Sequence, residues 1–381
     1  MISIDTLASE ALTGKVDRWE VGGDFPWMPP PRSRCIQFPS RSVYFALGRH
    51  CVIALLEVLE TKPKRRLWIP SFFCFDVAKS WSRWFNVSFY RDDPRWREPD
   101  WRSLSPDPCD IVIAVNYFAS READPWNDWH QRKSCILVED HSHDPLSKWA
   151  LTSQADYVFS SLRKTLPIPD GAVLWSPKKN RLPRPRMSSI VPGAKQKLSA
   201  MLSKAEYLQG SGGPELKQRY RSLLGRSEIK LDACRPVGTS SFTRKYISGG
   251  VPERWRIRRA NNVRYLVREL KDWPVACPLF SSWPEGSVPL ALVLVFRSAG
   301  ERDHYRSWLS SHDVYCPIHW VCGHPKFPEA RDLSSRILTV PSDQRYTVVD
   351  MKKVARILLG LSSTIRNAAE YDYKGARHLR E

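Results

Sequence analysis

No run among the 381 residues approaches the ~18 consecutive apolar positions that a membrane-crossing helix needs. The opening residues, Met1-Ile2-Ser3-Ile4-Asp5, lack the basic segment and apolar stretch of a secretory signal. Cysteine is sparse: nine residues, an odd number, without the dense spacing of a disulfide-stapled secreted scaffold. A reducing cytoplasm is therefore the expected setting. No internal repeat is visible.

Apolar residues make up 42%, enough for a sizeable core, which sets aside wholesale disorder. Lysine and arginine number 59 against 40 acidic residues, a formal charge of +19. That excess suits an anionic partner, whether nucleic acid, membrane surface or phosphorylated substrate, and equally a solvated basic surface. The charge is spread along the chain, with local clusters at Lys62-Pro63-Lys64-Arg65-Arg66 and at Lys178-Lys179-Asn180-Arg181. The 16 tryptophans are scattered without the spacing of a stacking platform, so packing is their expected role.

Residues 1–40 are Pro-rich and read as an irregular lead-in. Apolar residues at helical spacing run from Ser42 to Leu59, and Gly48-Arg49 interrupts them, so a helix is expected to start there. Leu67–Pro70, Val87–Tyr90, Cys109–Val115 and Ser134–Val138 read as strands, with helix-length stretches Val77–Phe85 and Pro125–Arg132 between them. This alternation predicts an α/β fold with a mostly parallel sheet. Residues 177–250 are basic and rich in Pro and Gly, and Gly210–Gly213 is a breaker rather than a phosphate cradle, because no strand precedes it. Glu253–Leu270 reads as an amphipathic helix with Ile257, Ala260, Val263, Leu266 and Leu270 on one stripe. Pro289–Phe296 and Ile337–Val340 read as strands, Arg302–Leu309 and Val348–Leu361 as helices. The expected division is a large domain over 41–250, a smaller C-terminal α/β domain over 251–365, and a tail over 366–381.

Two segments carry chemistry. Ile136-Leu137-Val138-Glu139-Asp140 is an apolar run closed by carboxylates and followed by His141-Ser142-His143. Tyr157-Val158-Phe159 is followed by Ser160-Ser161-Leu162-Arg163-Lys164. A carboxylate at the end of one strand and a lysine after the next suit pyridoxal 5′-phosphate, which needs an amine for its Schiff base and a carboxylate to keep its ring nitrogen protonated.

With these two segments, Gly48–Leu55, Ile69-Pro70-Ser71-Phe72-Phe73, Val115-Asn116-Tyr117-Phe118, Cys316–Trp320 and Ile337–Pro341 fall in an order that resembles the DegT/StrS-type family of pyridoxal-phosphate-dependent sugar aminotransferases, over about residues 40–361. The resemblance implies the type I aspartate-aminotransferase fold and a homodimer. It implies that Lys164 is the catalytic, cofactor-bearing lysine and that Asp140 pairs with the ring nitrogen. It further implies that His143 braces the cofactor and that Gly48, Arg49, Ser160 and Ser161 hold the phosphate, the first two through amides at a helix N-terminus. His319 would lie at the substrate-side rim, and an aromatic among Phe72, Phe73 and Phe75 would cover the ring. Retention of Lys164 argues against the family's deoxysugar dehydratases, where histidine takes that place.

The activity this implies is transfer of an amino group from a small-molecule donor to a keto-sugar or related carbonyl substrate, phosphorylated or nucleotide-linked, with no membrane or nucleic-acid partner. The chain departs from the family in three places. Lys164 is followed by Thr165-Leu166-Pro167-Ile168-Pro169-Asp170-Gly171-Ala172 rather than an Asn-x-Thr-x-Gly-Glu-Gly-Gly-like run, Phe159 stands where the family has serine, and Ser241-Phe242-Thr243-Arg244 replaces an Asn-x-Arg segment. These leave open a lyase or non-sugar transferase on the same cofactor, and a non-catalytic basic binding protein. No metal is expected. His141 and His143 lack a third ligand, and Cys316-x2-His319-x2-Cys322-x-His324 is tighter than zinc patterns.

Overall fold

The computed structural model describes residues 18–30, 33–59, 65–186, 191–321 and 326–375, with the side chains of 362–375 excepted. Two short strands, Val21–Gly22 (β1) and Cys35–Ile36 (β2), come first. A seven-stranded sheet follows from Val43–Phe45 (β3), Arg66–Pro70 (β4), Asn86–Tyr90 (β5), Ile111–Val115 (β6), Ile136–Asp140 (β7), Tyr157–Ser161 (β8) and Ala172–Trp175 (β9). Its order is β3-β9-β8-β7-β6-β4-β5. The run from β5 to β8 is parallel, and β9 is antiparallel to both of its neighbours.

Every side chain of the central strand β6 is buried, as a parallel sheet covered on both faces demands. Helices Gly48–Ala54, Phe75–Trp81, Asp124–His130 and Lys148–Leu151 connect the strands. The first starts at Gly48, as the broken periodicity predicts, while Val43–Phe45 is drawn into the sheet by pairing with β9. Because the parallel strands run the same way, the segments leaving β4, β6, β7 and β8 gather at one edge. Sheets of this kind form their binding crevices there.

In the basic region after β9, helices Ala194–Leu208 and Pro214–Asp232 pack on each other across a turn where Gly210 and Gly212 take positive φ. Val251–Pro252 (β10) pairs with β2. Ala276–Pro278 (β11), Leu292–Phe296 (β12) and Ile337–Val340 (β14) form an antiparallel sheet, and Val314–Tyr315 (β13) pairs with β1. Helices Glu253–Glu269, Ala299–Ser311 and Val348–Gly375 cover this sheet around Leu266, Phe296, Leu309 and Leu358. Val21 joins that core, so part of the lead-in is built into the fold. Ile257 departs from its expected stripe and is 55% exposed, because the buried face centres on Trp255, Arg259, Asn262, Val263 and Leu266. Among the described residues no helix is long and apolar enough to cross a membrane.

Three buried anchors pin the segments that leave β7 and β8. Asp144 is ion-paired with Arg256 and accepts from the Val288 amide at 2.8 Å. The Thr165 carbonyl accepts from Gln344 Nε2 at 2.7 Å and Arg259 Nη2 at 3.1 Å. Asp170, fully buried, accepts from Thr239 Oγ1 (2.9 Å), Ser240 N (2.7 Å), Ser240 Oγ (2.6 Å) and Thr243 Oγ1 (2.6 Å). Replacing Asp170 with alanine strands these donors at once and should cost about 3 kcal/mol. Denaturant unfolding checks this, and an unchanged midpoint contradicts it.

Candidate active site

Asp140 is the last residue of β7, and β8 runs through Ser161 into a single 3-10 turn, Leu162–Lys164. That turn swings Lys164 back over the edge of the sheet. Its Nζ lies 3.1 Å from His143 Nε2 and 4.9 Å from the centre of the Trp320 ring. Burial lowers the Lys164 amine from the ordinary lysine range, opposed by the nearby charge of Asp140 and by Cys74. His143, fully surrounded, is pushed well below the usual imidazole range by burial, then by Lys164 and His319.

The hydrogen bonds fix the protons. His143 Nδ1 accepts from the Phe118 amide at 2.8 Å. A neutral imidazole has one lone pair, so its proton sits on Nε2. Nε2–H then points at Lys164 Nζ, a contact that the neutral form of the amine can satisfy and that burial also favours. The Phe118 amide is aimed by an unusual turn, since Phe118 (φ 52°) and Ala119 (φ 62°) are both left-handed, at a cost of order 1–3 kcal/mol each.

Behind this face a second network is closed to water. His141 Nε2 contacts Glu139 Oε2 at 3.1 Å, and Trp149 Nε1 donates to Glu139 Oε1 at 2.9 Å. Asn116 Nδ2 and Ser147 Oγ approach His141 Nδ1 at 3.3 and 3.4 Å. Strand alternation explains the division of labour: Glu139 and His141 face one way, Asp140 and Ser142 the other. Asp140 accepts from the Ser142 amide at 2.8 Å, which orients its carboxylate.

The remaining sequence-named residues divide. Gly48 opens its helix hard against β8: a Cβ there would lie 3.1 Å from Ser161 Cβ and 3.6 Å from the Phe159 ring. Ser161 thus stands beside the helix N-terminus, which has no side-chain cap. Ser160 turns inward, fully buried, and donates to the His141 carbonyl at 3.2 Å. The Arg49 side chain turns away to Asp232 at 2.5 Å. His319 does join the cluster, its ring 6.3 Å from that of His143, with Nδ1 3.0 Å from Thr339 Oγ1 and its pKa lowered to about 3 by burial and by Lys164. Phe72 and Phe73 are core residues, and Phe75 is half exposed.

The aromatic facing Lys164 is Trp320, stacked on His143 (5.3 Å, 23°) and Phe118 (6.4 Å, 26°). Sequence reasoning missed it because it arrives from nearly 160 residues downstream, with only the neighbouring His319 as a signal. Among the described residues no group of three or more potential metal ligands gathers, and Cys322 and His324 lie outside them.

A cavity of about 1140 Å³ opens beside Lys164 and His319. Arg163, Lys197 and Arg345 on its wall are matched by Glu228, Asp24 and Asp343. The wall also carries Arg306, whose Nε donates to the Cys316 carbonyl at 3.3 Å.

Solved structures share this architecture. A DegT DnrJ EryC1 StrS aminotransferase from Brucella abortus is 16% identical and superposes with a TM-score of 0.54 over 84% of this chain and 85% of its own. The putative sugar aminotransferase Spr1654 from Streptococcus pneumoniae, in its PMP form, is 12% identical with a TM-score of 0.61 over 92% and 100%. The E. coli GDP-4-keto-6-deoxy-D-mannose-3-dehydratase, with bound hydrated PLP, is 12% identical with a TM-score of 0.53 over 83% and 87%. The chain has the fold of these pyridoxal-phosphate enzymes. No protein-family model matches the sequence, and no curated protein is similar to it.

A depressed amine pKa has a direct chemical readout. Surface lysines lose about tenfold in reductive-methylation rate for each pH unit below their pKa. Lys164 should keep its rate to lower pH than they do, because burial lowers its pKa. Peptide mass spectrometry across about pH 7 to 9 checks this, and parallel slowing of all lysines contradicts it.

Proposed function

We propose that this chain is a pyridoxal 5′-phosphate enzyme acting on a sugar or related carbonyl substrate, and that its reaction is transfer of an amino group. The observation that carries the reading is a buried lysine amine, its pKa lowered by burial, within electrostatic reach of Asp140 at the carboxyl edge of a parallel sheet. The aminotransferases and the dehydratase that share the fold support it, as does the retained lysine. The small-molecule amino donor, the phosphorylated or nucleotide-linked substrate, the homodimer and the cytoplasmic setting belong to the same proposal.

The residues present fit the cofactor. Asp140 supplies the carboxylate for a pyridinium nitrogen and Lys164 the amine for an aldehyde. The close approach of Gly48 to Ser161 leaves helix amides and a hydroxyl for a phosphate, while the Arg49 guanidinium and Ser160 are engaged elsewhere. When bound, the cofactor supplies an electron sink for a carbanion next to nitrogen. Asp140 holds the proton on the ring nitrogen. Lys164 Nζ, its pKa lowered by burial, accepts a proton from substrate carbon and returns it. His143 Nε2–H holds the Lys164 lone pair and keeps the amine aimed until the cofactor arrives. Trp320 and Phe118 exclude water from that exchange. The cavity exceeds the usual ~300–1,000 Å³ of small-molecule sites, which suits a substrate larger than an amino acid.

Purified protein incubated with the cofactor should show a near-visible absorption band that borohydride bleaches, and Lys164→Ala should lack it. Asp140→Asn should keep attachment through Lys164 while losing at least about a hundredfold in transfer from glutamate, equivalent to ~2.7 kcal/mol. A protein that stays colourless with the cofactor contradicts the assignment. A coloured protein that yields no pyridoxamine phosphate from any amino donor redirects it to a lyase or another transferase.

A further inference from the structure

The +19 charge is only partly accounted for by the cavity, and one exposed concentration of it lies on two helices of the C-terminal half. On the Glu253–Glu269 helix, the exposed residues Arg254, Ile257, Arg258, Asn261, Arg264 and Arg268 recur at three- and four-residue intervals. That spacing places them on one stripe. The adjoining Val348–Gly375 helix repeats the pattern with Val349, Lys352, Lys353, Arg356 and Leu359. The two helices pack against each other, and Tyr265 marks the seam. Its ring lies 5.3 Å from the Arg268 guanidinium, and its hydroxyl pKa is raised by burial and by Glu269, opposed by the Arg268 and Arg356 charges.

Carboxylates are few on this face, and Glu269 acts on the Tyr265 hydroxyl at the seam. Glu253 and Glu269 sit at the helix ends, where they pair with Arg34 and Arg268, and Asp350 is turned to Trp19 and Thr347. Bare apolar side chains are set among the cations: Ile257 is 55% exposed, Val349 73% and Leu359 39%. Single exposed apolar side chains are ordinary on a solvated surface; set among seven cations they match an interfacial face, and nucleic acid offers them no partner except where a base can be splayed out. An anionic lipid surface suits both components. Arginine and lysine are drawn to the headgroups at about 1 kcal/mol each, while short apolar side chains enter the boundary with the acyl chains.

We propose that this two-helix face docks the protein on anionic membrane surfaces. It lies outside the Lys164 cluster and is independent of the reaction proposed there. The attachment is peripheral, with the helices lying along the surface.

Co-sedimentation of the full chain with phosphatidylcholine vesicles, with and without about a third phosphatidylglycerol, tests this. Binding is expected only to the anionic vesicles at about 0.1 M salt, and it should fall away at about 0.5 M. Arg264→Gln with Arg356→Gln should weaken it roughly thirtyfold. Ile257→Ser should weaken it severalfold at unchanged charge. Unaltered thermal unfolding and an unaltered cofactor absorption band establish that the variants are folded. No binding to anionic vesicles, or equal binding by the double variant, overturns the proposal. So does tighter binding to a DNA duplex or single strand that the double variant loses while Ile257→Ser does not, which would make the face a nucleic-acid surface.

Discussion

A neutral imidazole has one lone pair, and at His143 the Phe118 amide takes it. The rest of the site follows from that constraint. The other ring nitrogen then presents its hydrogen toward the lysine 3.1 Å away, a contact that favours the neutral, nucleophilic form of the amine. Burial acts in the same direction by penalising the charged form, and the carboxylate of Asp140 acts against it. The balance is an amine of lowered pKa that is still coupled to an anion. A surface lysine, solvated and free to rotate, has neither property.

Holding that arrangement requires support from the C-terminal half. The helix carrying Arg256 and Arg259 reaches both segments that leave the sheet edge: Arg256 takes Asp144, one residue beyond His143, and Arg259 takes the carbonyl of Thr165, one residue beyond Lys164. Two arginines one turn apart therefore set the distance between histidine and lysine. Trp320 closes the front, its carbonyl held by the Ser334 hydroxyl. The left-handed turn at Phe118 and Ala119 persists because its amide is needed by His143 and its ring is packed between His143 and Phe280. Truncating this support would loosen the site without touching a reacting atom.

Much of the fold was legible along the chain. Strands at Leu67–Pro70, Val87–Tyr90 and Ile337–Val340 announce themselves as short apolar runs ended by proline, charge or turn residues. A helix start at Gly48 is visible as a break in periodicity. Ile257 misled, because a period of about 3.6 residues fixes which positions share a stripe but not where the stripe's edge falls against its neighbours. The seal over Lys164 was illegible for another reason. Trp320 follows a histidine in a stretch without periodicity, and nothing local marks which of 16 tryptophans reaches the site.

The sequence alone determined the alternation of strand and helix, the acidic close of β7 and the lysine after β8, because each is a local pattern of apolar spacing and interruption. It also determined that histidines would lie one and three residues after Asp140. Tertiary structure alone decided which way each of these side chains points. Alternation across the strand sends Glu139, His141 and Ser160 into the interior and leaves Asp140 and Ser161 toward the cleft. Ion pairing with Asp232 draws Arg49 aside. Packing brings His319 and Trp320 across from the C-terminal sheet. Direction and protonation depend on neighbours far away in the chain, and those neighbours exist only once the two halves have packed.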